Sequence, residues 1–227
     1  MCMKERLRVE SIGAKIHQED PIWHVQLTIL VALLLQITLP DKFVAGPRYL
    51  LPFLEGILLL SLLATTQRVA LLKFALRKIN TVALIVLISI ANIYALQRLS
   101  HELLVGGKVT NGHALIRAAI NIYLTNIIIF ALLYWEIDGG GSIKRVWNNL
   151  RNRDFLFPQM TTPEFAPEKW TPRFVDYLYV SATNALAFSP TDTMPLSRTA
   201  KLLMLAQSLV SLTTLGLVAA RAVNILS

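Results

Sequence analysis

Five long apolar runs, with most of the charge packed into the short blocks between them, constrain this chain more than anything else in it. They extend from Ile22 to Leu39, Tyr49 to Thr65, Thr81 to Leu99, Ala114 to Trp135 and Leu196 to Leu226, the last with its apolar core starting near Leu202. About 20 apolar residues, at about 1.5 Å each along a helix, match the hydrocarbon thickness of a bilayer. The last two runs clear that length and the first two sit at its short end, so five spanning helices are expected. Charged residues make up only 16% of the 227, against about 25% in a soluble domain.

The formal net charge is +8. In a soluble protein that surplus would point to nucleic acid, but here the basic residues flank apolar runs, so they set orientation and meet lipid headgroups. The lone cysteine, Cys2, excludes a disulfide framework and a cysteine zinc site. The segment before the first run carries Glu5, Glu10, Glu19 and Asp20, and the run ends in Leu39-Pro40-Asp41 with no small-residue cleavage site. It reads as an uncleaved first helix rather than a secretory signal.

One long polar stretch, Asp138 to Pro172, separates the fourth and fifth runs. Gly139-Gly140-Gly141 opens it, and Phe155-Leu156-Phe157-Pro158 and Trp170 make it too aromatic for a flexible linker. An ordered hairpin or short surface helix at the membrane interface is expected, with a lid over a pore mouth as the functional alternative. Thr171-Pro172 then starts a helix, Thr as cap and Pro in the first turn. The segment PRFVDYLYVSATNALAF is about 24 Å long as a helix, too short and polar to span. Ser189-Pro190-Thr191-Asp192-Thr193-Met194-Pro195 follows, then a full-length apolar helix. A half-helix, an irregular loop and a returning helix make a re-entrant segment, which survives at membrane depth only when buried in protein or lining a cavity.

From Ala114 to the C-terminus the chain resembles the pore module of tetrameric potassium channels. Leu186-Ala187-Phe188-Ser189-Pro190-Thr191-Asp192 falls on the filter pattern TTVGYGD, Pro195 on the following proline and Gly216-Leu217-Val218 on the inner-helix glycine segment. The whole layout is similar to a family of bacterial five-helix membrane proteins whose last segment has this shape without the filter glycines. The resemblance implies an all-α membrane protein of five transmembrane helices with a re-entrant pore helix and loop between helices 4 and 5. Residues 1–21 form an N-terminal segment, 22–100 a three-helix membrane region and 114–227 the pore-like module. Within that module lie an outer helix 114–136, an interfacial loop 137–171, a pore helix 172–187, a filter-like loop 188–195 and an inner helix 196–226. A multi-pass homotetramer in the bacterial inner membrane is implied, in contact with the lipid bilayer and passing monovalent cations, with no cofactor and no nucleic-acid partner.

The filter itself departs from that pattern. Potassium filters ring the ion with backbone carbonyls, and their glycines tolerate the positive φ this needs. Ser189 and Thr191 stand at the glycine positions, with Pro190 between them locked near a φ of about −65°. Hydroxyls of Ser189 and Thr191, or a ring of Asp192, would line a wider mouth that favours cations without selecting potassium. The alternative is a non-conducting scaffold or sensor in which these residues only turn the chain. On the last helix Gln207, Ser211, Thr214 and Arg221 form a polar stripe facing water or neighbouring helices. The resemblance instead turns Ser208, Leu212, Leu215 and Ala219 toward the axis, where the leucines could gate by dewetting. Pore-lining candidates are therefore Ser208, Ser211, Leu212, Leu215 and Ala219.

Two intramembrane charges, Glu55 and Arg117, fall at similar depth on helices entering from the same side, and an ion pair between them is expected, with Asn121 and Thr125 continuing its polar face. Pro52 and Gly56 fit a kink or close contact nearby. Lys4, Arg6, Arg8, Lys15, Arg68, Lys73, Arg77, Lys78, Lys144, Arg145, Arg151, Arg153, Lys169 and Arg173 fall on one face of a five-helix protein; Lys42, Arg48, Arg98, Lys108 and Arg221 fall on the other. The positive-inside rule puts the N-terminus and the pore loop in the cytoplasm, inverted relative to a potassium channel. The five- and four-residue spacing of Arg68, Lys73 and Arg77 does not suit a voltage sensor. Enzyme chemistry finds no footing. Val105 stands where the second histidine of a zinc-protease motif after His101-Glu102 would be, and the triple glycine lacks the strand and lysine of a phosphate loop. His17, His24, His101 and His113 share no ligand spacing, and no metal site is expected.

Overall fold

In the computed structural model of the chain, residues 23–66, 71–105, 112–141, 153–168, 170–187 and 192–226 are described, with side chains left aside at 64–66, 71–77 and 221–226. Seven helices lie among them: α1 (Trp23–Thr38), α2 (Leu50–Thr66), α3 (Leu71–Leu104), α4 (Gly112–Ile137), α5 (Pro158–Thr161), α6 (Phe174–Ala187) and α7 (Arg198–Leu226). Two-residue strands β1 (Phe155–Leu156) and β2 (Met194–Pro195) pair antiparallel. The described residues are thus mostly α-helical.

Three stretches, Lys78–Leu104, Gly112–Gly140 and Arg198–Ala220, are long and apolar enough to cross a membrane; α1 and α2 are apolar but shorter. Five full-length spans are therefore not what the described helices supply. The third helix is longer than its apolar run, because Leu71–Leu104 carries the basic residues Lys73, Arg77 and Lys78 into its first turns. Those residues were expected in a loop, and the helix absorbs them because Leu, Ala, Arg and Lys all favour helix.

α4 is the hub. Of its apolar window 72% is covered, while α7 leaves most of its surface outward. One core joins Val25 and Ile29 of α1, Leu62 of α2, Leu84 and Ile88 of α3, Leu132 and Tyr134 of α4, and Tyr177 of α6. A second, at the far end of α4, packs Phe43 and Leu39 against Leu99, Leu115 and Ile122. The outward side chains are apolar too: Leu27 and Leu34 on α1, Phe53 and Leu60 on α2, Val86 and Ile90 on α3, and Leu205 and Leu209 on α7. Apolar surface on this scale belongs against hydrocarbon or another subunit, and it makes the chain a membrane protein.

Pro52 sits in the first turn of α2, where its missing N–H costs nothing. A Cβ built on Gly56 would meet nothing within 4 Å, so the close contact expected there is not made among the described residues. The glycine run after α4 does have a conformational role. Gly139, Gly140 and Gly141 take φ of 63°, 84° and 98°, a left-handed turn that ordinary residues resist.

Candidate functional site

α6 begins where its polar side chains dictate, two residues after Pro172. The backbone N–H of Arg173 donates to Asp176 Oδ2 at 2.7 Å, so the carboxylate caps the first turn that Thr171 was expected to cap. One face of the helix then presents Tyr177, Ser181 and Asn184, all buried, to α4 and α7.

Gln207 of α7 is fully buried in this region. Its amide donates to the Ser181 carbonyl at 2.9 Å and to Ser181 Oγ at 2.7 Å. Its Oε1 accepts from the Tyr134 hydroxyl at 2.6 Å and from Asn184 Nδ2 at 2.9 Å. Asn184 Nδ2 also donates to the Met204 carbonyl, Ser181 Oγ to the Ile127 carbonyl, and Asn126 Nδ2 to Ser211 Oγ at 3.0 Å. Buried polar groups hold a unique arrangement only when every member is satisfied, and this network meets that condition at Gln207. It pins the half-length α6 between the two long helices α4 and α7.

A second node closes the near end. Asp138, fully buried, accepts from Arg153 Nη1 at 3.1 Å, the Asp154 N–H at 2.7 Å, the Phe155 N–H at 3.2 Å and the Tyr177 hydroxyl at 2.6 Å. Asp154 reaches back to the Gly139 N–H, and its carbonyl accepts from the Leu196 N–H. Since Phe155 pairs with Pro195 and Leu156 with Met194, the first turn of α6 and the segment just before α7 are both tied to Asp138. The described part of the polar stretch thus forms a clasp, in which Tyr134, Phe155, Tyr177 and Phe157 make a chain of ring contacts.

Of the filter-like residues, Ser189, Pro190 and Thr191 lie outside the described residues. Asp192 is exposed at a bend, and its Oδ1 accepts from the Thr193 hydroxyl at 3.4 Å. On α7 the polar stripe turns inward: Gln207, Ser211 and Thr214 are buried within the subunit. Ser211 is therefore not free to line a pore, because it is spent on Asn126. Leu212, Leu215 and Ala219 point outward, and Ser208 is half-buried with its hydroxyl 3.4 Å from Asn184 Oδ1. A Cβ on Gly216 would meet nothing within 4 Å.

The expected Glu55–Arg117 pair is not formed. Arg117 is exposed, while Glu55 is fully buried and its Oε1 accepts from Gln36 Nε2 at 3.0 Å. The two helices enter from the same end, but α1 stands between them and supplies the polar partners: Asn121 donates to the Leu35 carbonyl and Thr38 Oγ1. Asn121 and Thr125 are buried, as their place on a polar face predicted.

Sequence reasoning missed Asp138, Tyr134, Ser181 and Asn184. The signal for Asp138 was an acid at the end of an apolar helix just before three glycines. For the others it was the spacing of polar residues on α4 and α6 opposite Gln207. No group of acids, histidines or cysteines among the described residues could hold a metal ion. Comparison with protein-family models, with characterised proteins and with solved structures found no match to this chain.

Proposed function

We propose that α4, α6 and α7 form the pore-loop module of a cation channel that assembles as a homotetramer, without the glycine filter of potassium channels. One observation carries the reading. α6 is 14 residues, about 21 Å, and runs away from Asp138 along α4, yet the segment before α7 is back at the Asp138 node. A segment that leaves and returns to one end, held by a polar network satisfied at Gln207, fits a re-entrant loop. The outward Leu212, Leu215 and Ala219 then suit an apolar lining of the axis, gated by dewetting, with Asp192 as an acidic ring at the mouth. Lys78 lies 4.0 Å from Glu136, which groups the basic start of α3 with the entry to α6. The positive-inside rule then turns the mouth to the cytoplasm, in a chain whose α1 and α2 complete five crossings of a bacterial inner membrane.

A non-conducting scaffold on the same fold is favoured by a different observation. Gln207 and Ser211 of the α7 stripe are spent on α4 and α6 rather than on an axis. Cation flux through purified protein in liposomes, beside Asp192→Asn, separates the two. Flux whose rate or selectivity changes with Asp192→Asn supports the channel; absence of flux across voltage, pH and tension supports the scaffold.

A further inference from the structure

On the side of α4 facing α1, α2 and α3, a cavity of about 30 Å³ is large enough for a water or a small ion. Arg48, Val44 and Ala45, in the α1–α2 connection, line it on one side. Asn92, Asn121, Thr125 and Gln36 supply polar walls. Behind Gln36 is Glu55, whose Oε1 takes the Gln36 amide and whose buried Oε2 has no hydrogen-bond partner among the described residues.

The depth of Glu55 follows from its neighbours. Asn80 Nδ2 donates to Ser61 Oγ at 2.7 Å, fixing the register of α3 against α2. Glu55 lies six residues before Ser61, about 9 Å along the helix, and so stands opposite Val86. That is near the middle of the charge-free stretch Ile79 to Gln97 of α3. No positive side chain among the described residues reaches it. α1 offers only His24, a dozen residues from Gln36. On α3, Lys78 lies near Glu136, Tyr94 carries no charge to offset an acid, and Arg98 lies 4.0 Å from Glu102. Arg48 pairs with Asp41 and donates to the Ile37 carbonyl, and Arg117 is exposed.

A buried carboxylate without a countercharge costs several kcal/mol, so such a group is completed by something positive. We propose that Glu55 is a binding site for a monovalent cation, a proton or an alkali-metal ion, entered from the Arg48 side through this cavity. The cavity supplies amide and hydroxyl groups as far as Gln36, and the Gln36 amide links it to the acid. Nothing in the site depends on the pore loop, and the site stands whether or not the protein conducts.

The test is labelling of the full-length protein in detergent with dicyclohexylcarbodiimide, mapped by mass spectrometry over a range of pH and of sodium, potassium and choline chloride. Glu55 is expected to take the label, with complete loss in Glu55→Gln and slower labelling in Thr125→Leu, which narrows the path. Slowing by sodium or potassium but not choline identifies a metal cation. Labelling that fades as pH rises, indifferent to salt, identifies a proton. The melting temperature of the wild type should move with the same variable, and that of Glu55→Gln should not. A wild type whose Glu55 stays unlabelled, or whose melting temperature responds to pH and sodium as Glu55→Gln does, overturns the proposal.

Discussion

Replacing Gln207 by leucine removes one amide of similar volume and four hydrogen bonds at once. The donors to the Ser181 carbonyl and hydroxyl go, and so do the acceptors for Tyr134 and Asn184. Interhelical side-chain bonds in membranes average about 0.6 kcal/mol, which sets a floor of about 2.4 kcal/mol for the four. The Tyr134 hydroxyl is then buried without its Gln207 acceptor, and a stranded polar group costs about 1–3 kcal/mol, so we expect a total of about 3.5–5 kcal/mol. Tyr134→Phe should be milder, about 1 kcal/mol, because Gln207 Oε1 still accepts from Asn184. The two changes share a bond, so the double variant should fall short of additivity by about 1 kcal/mol. Reversible unfolding in mixed micelles, read by tryptophan fluorescence, measures all three. A Gln207→Leu protein within about 0.5 kcal/mol of wild type would show that the network does not hold α6, and would refute the reasoning.

The same unfolding assay checks the near node and the glycines. Asp138→Asn leaves the almost fully buried Arg153 without its counter-ion and should cost about 3 kcal/mol or more. Gly139→Ala forces a Cβ into a left-handed residue and should cost about 1–2 kcal/mol. Gly216→Ala, with open space around it, should be neutral or stabilise the monomer by up to about 1 kcal/mol through helix propensity; a loss there would mark a packed or hinging contact. In liposomes, Asp192→Asn should reduce cation flux or blunt its preference over anions, and unchanged flux would place the mouth elsewhere.

Much of the fold was legible because hydropathy is a local property. The apolar runs around Trp23–Thr38, Leu50–Thr66, Gly112–Ile137 and Arg198–Leu226 marked helices to within a few residues. α3 was underestimated because its first turns, Leu71 to Lys78, carry basic residues that a hydropathy window discards while helix propensity keeps them. The half-length of α6 was readable from its polar residues, but its partners were not. Gln207, Ser211 and Thr214 were seen as a stripe, and sequence alone left two rotations of α7 open. Packing chose the one that buries them, because an unsatisfied amide facing hydrocarbon would cost more than the interhelical bonds it makes with Ser181 and Asn184. The Glu55–Arg117 pairing failed for a related reason. Equal depth does not make two helices neighbours, and α1 supplied Gln36 to the acid first.

The re-entry of α6 underlies the whole functional account, and one accessibility experiment reads it directly. In a Cys2→Ala background, single cysteines replace Arg173 before α6, the exposed Met194 after it, and the exposed Leu104 at the far end of α3. Sealed vesicles of known orientation are treated with a membrane-impermeant maleimide. The account predicts that positions 173 and 194 label from one side and position 104 from the other. Labelling of 173 and 194 from opposite sides would mean that α6 crosses the membrane, and there would be no pore loop.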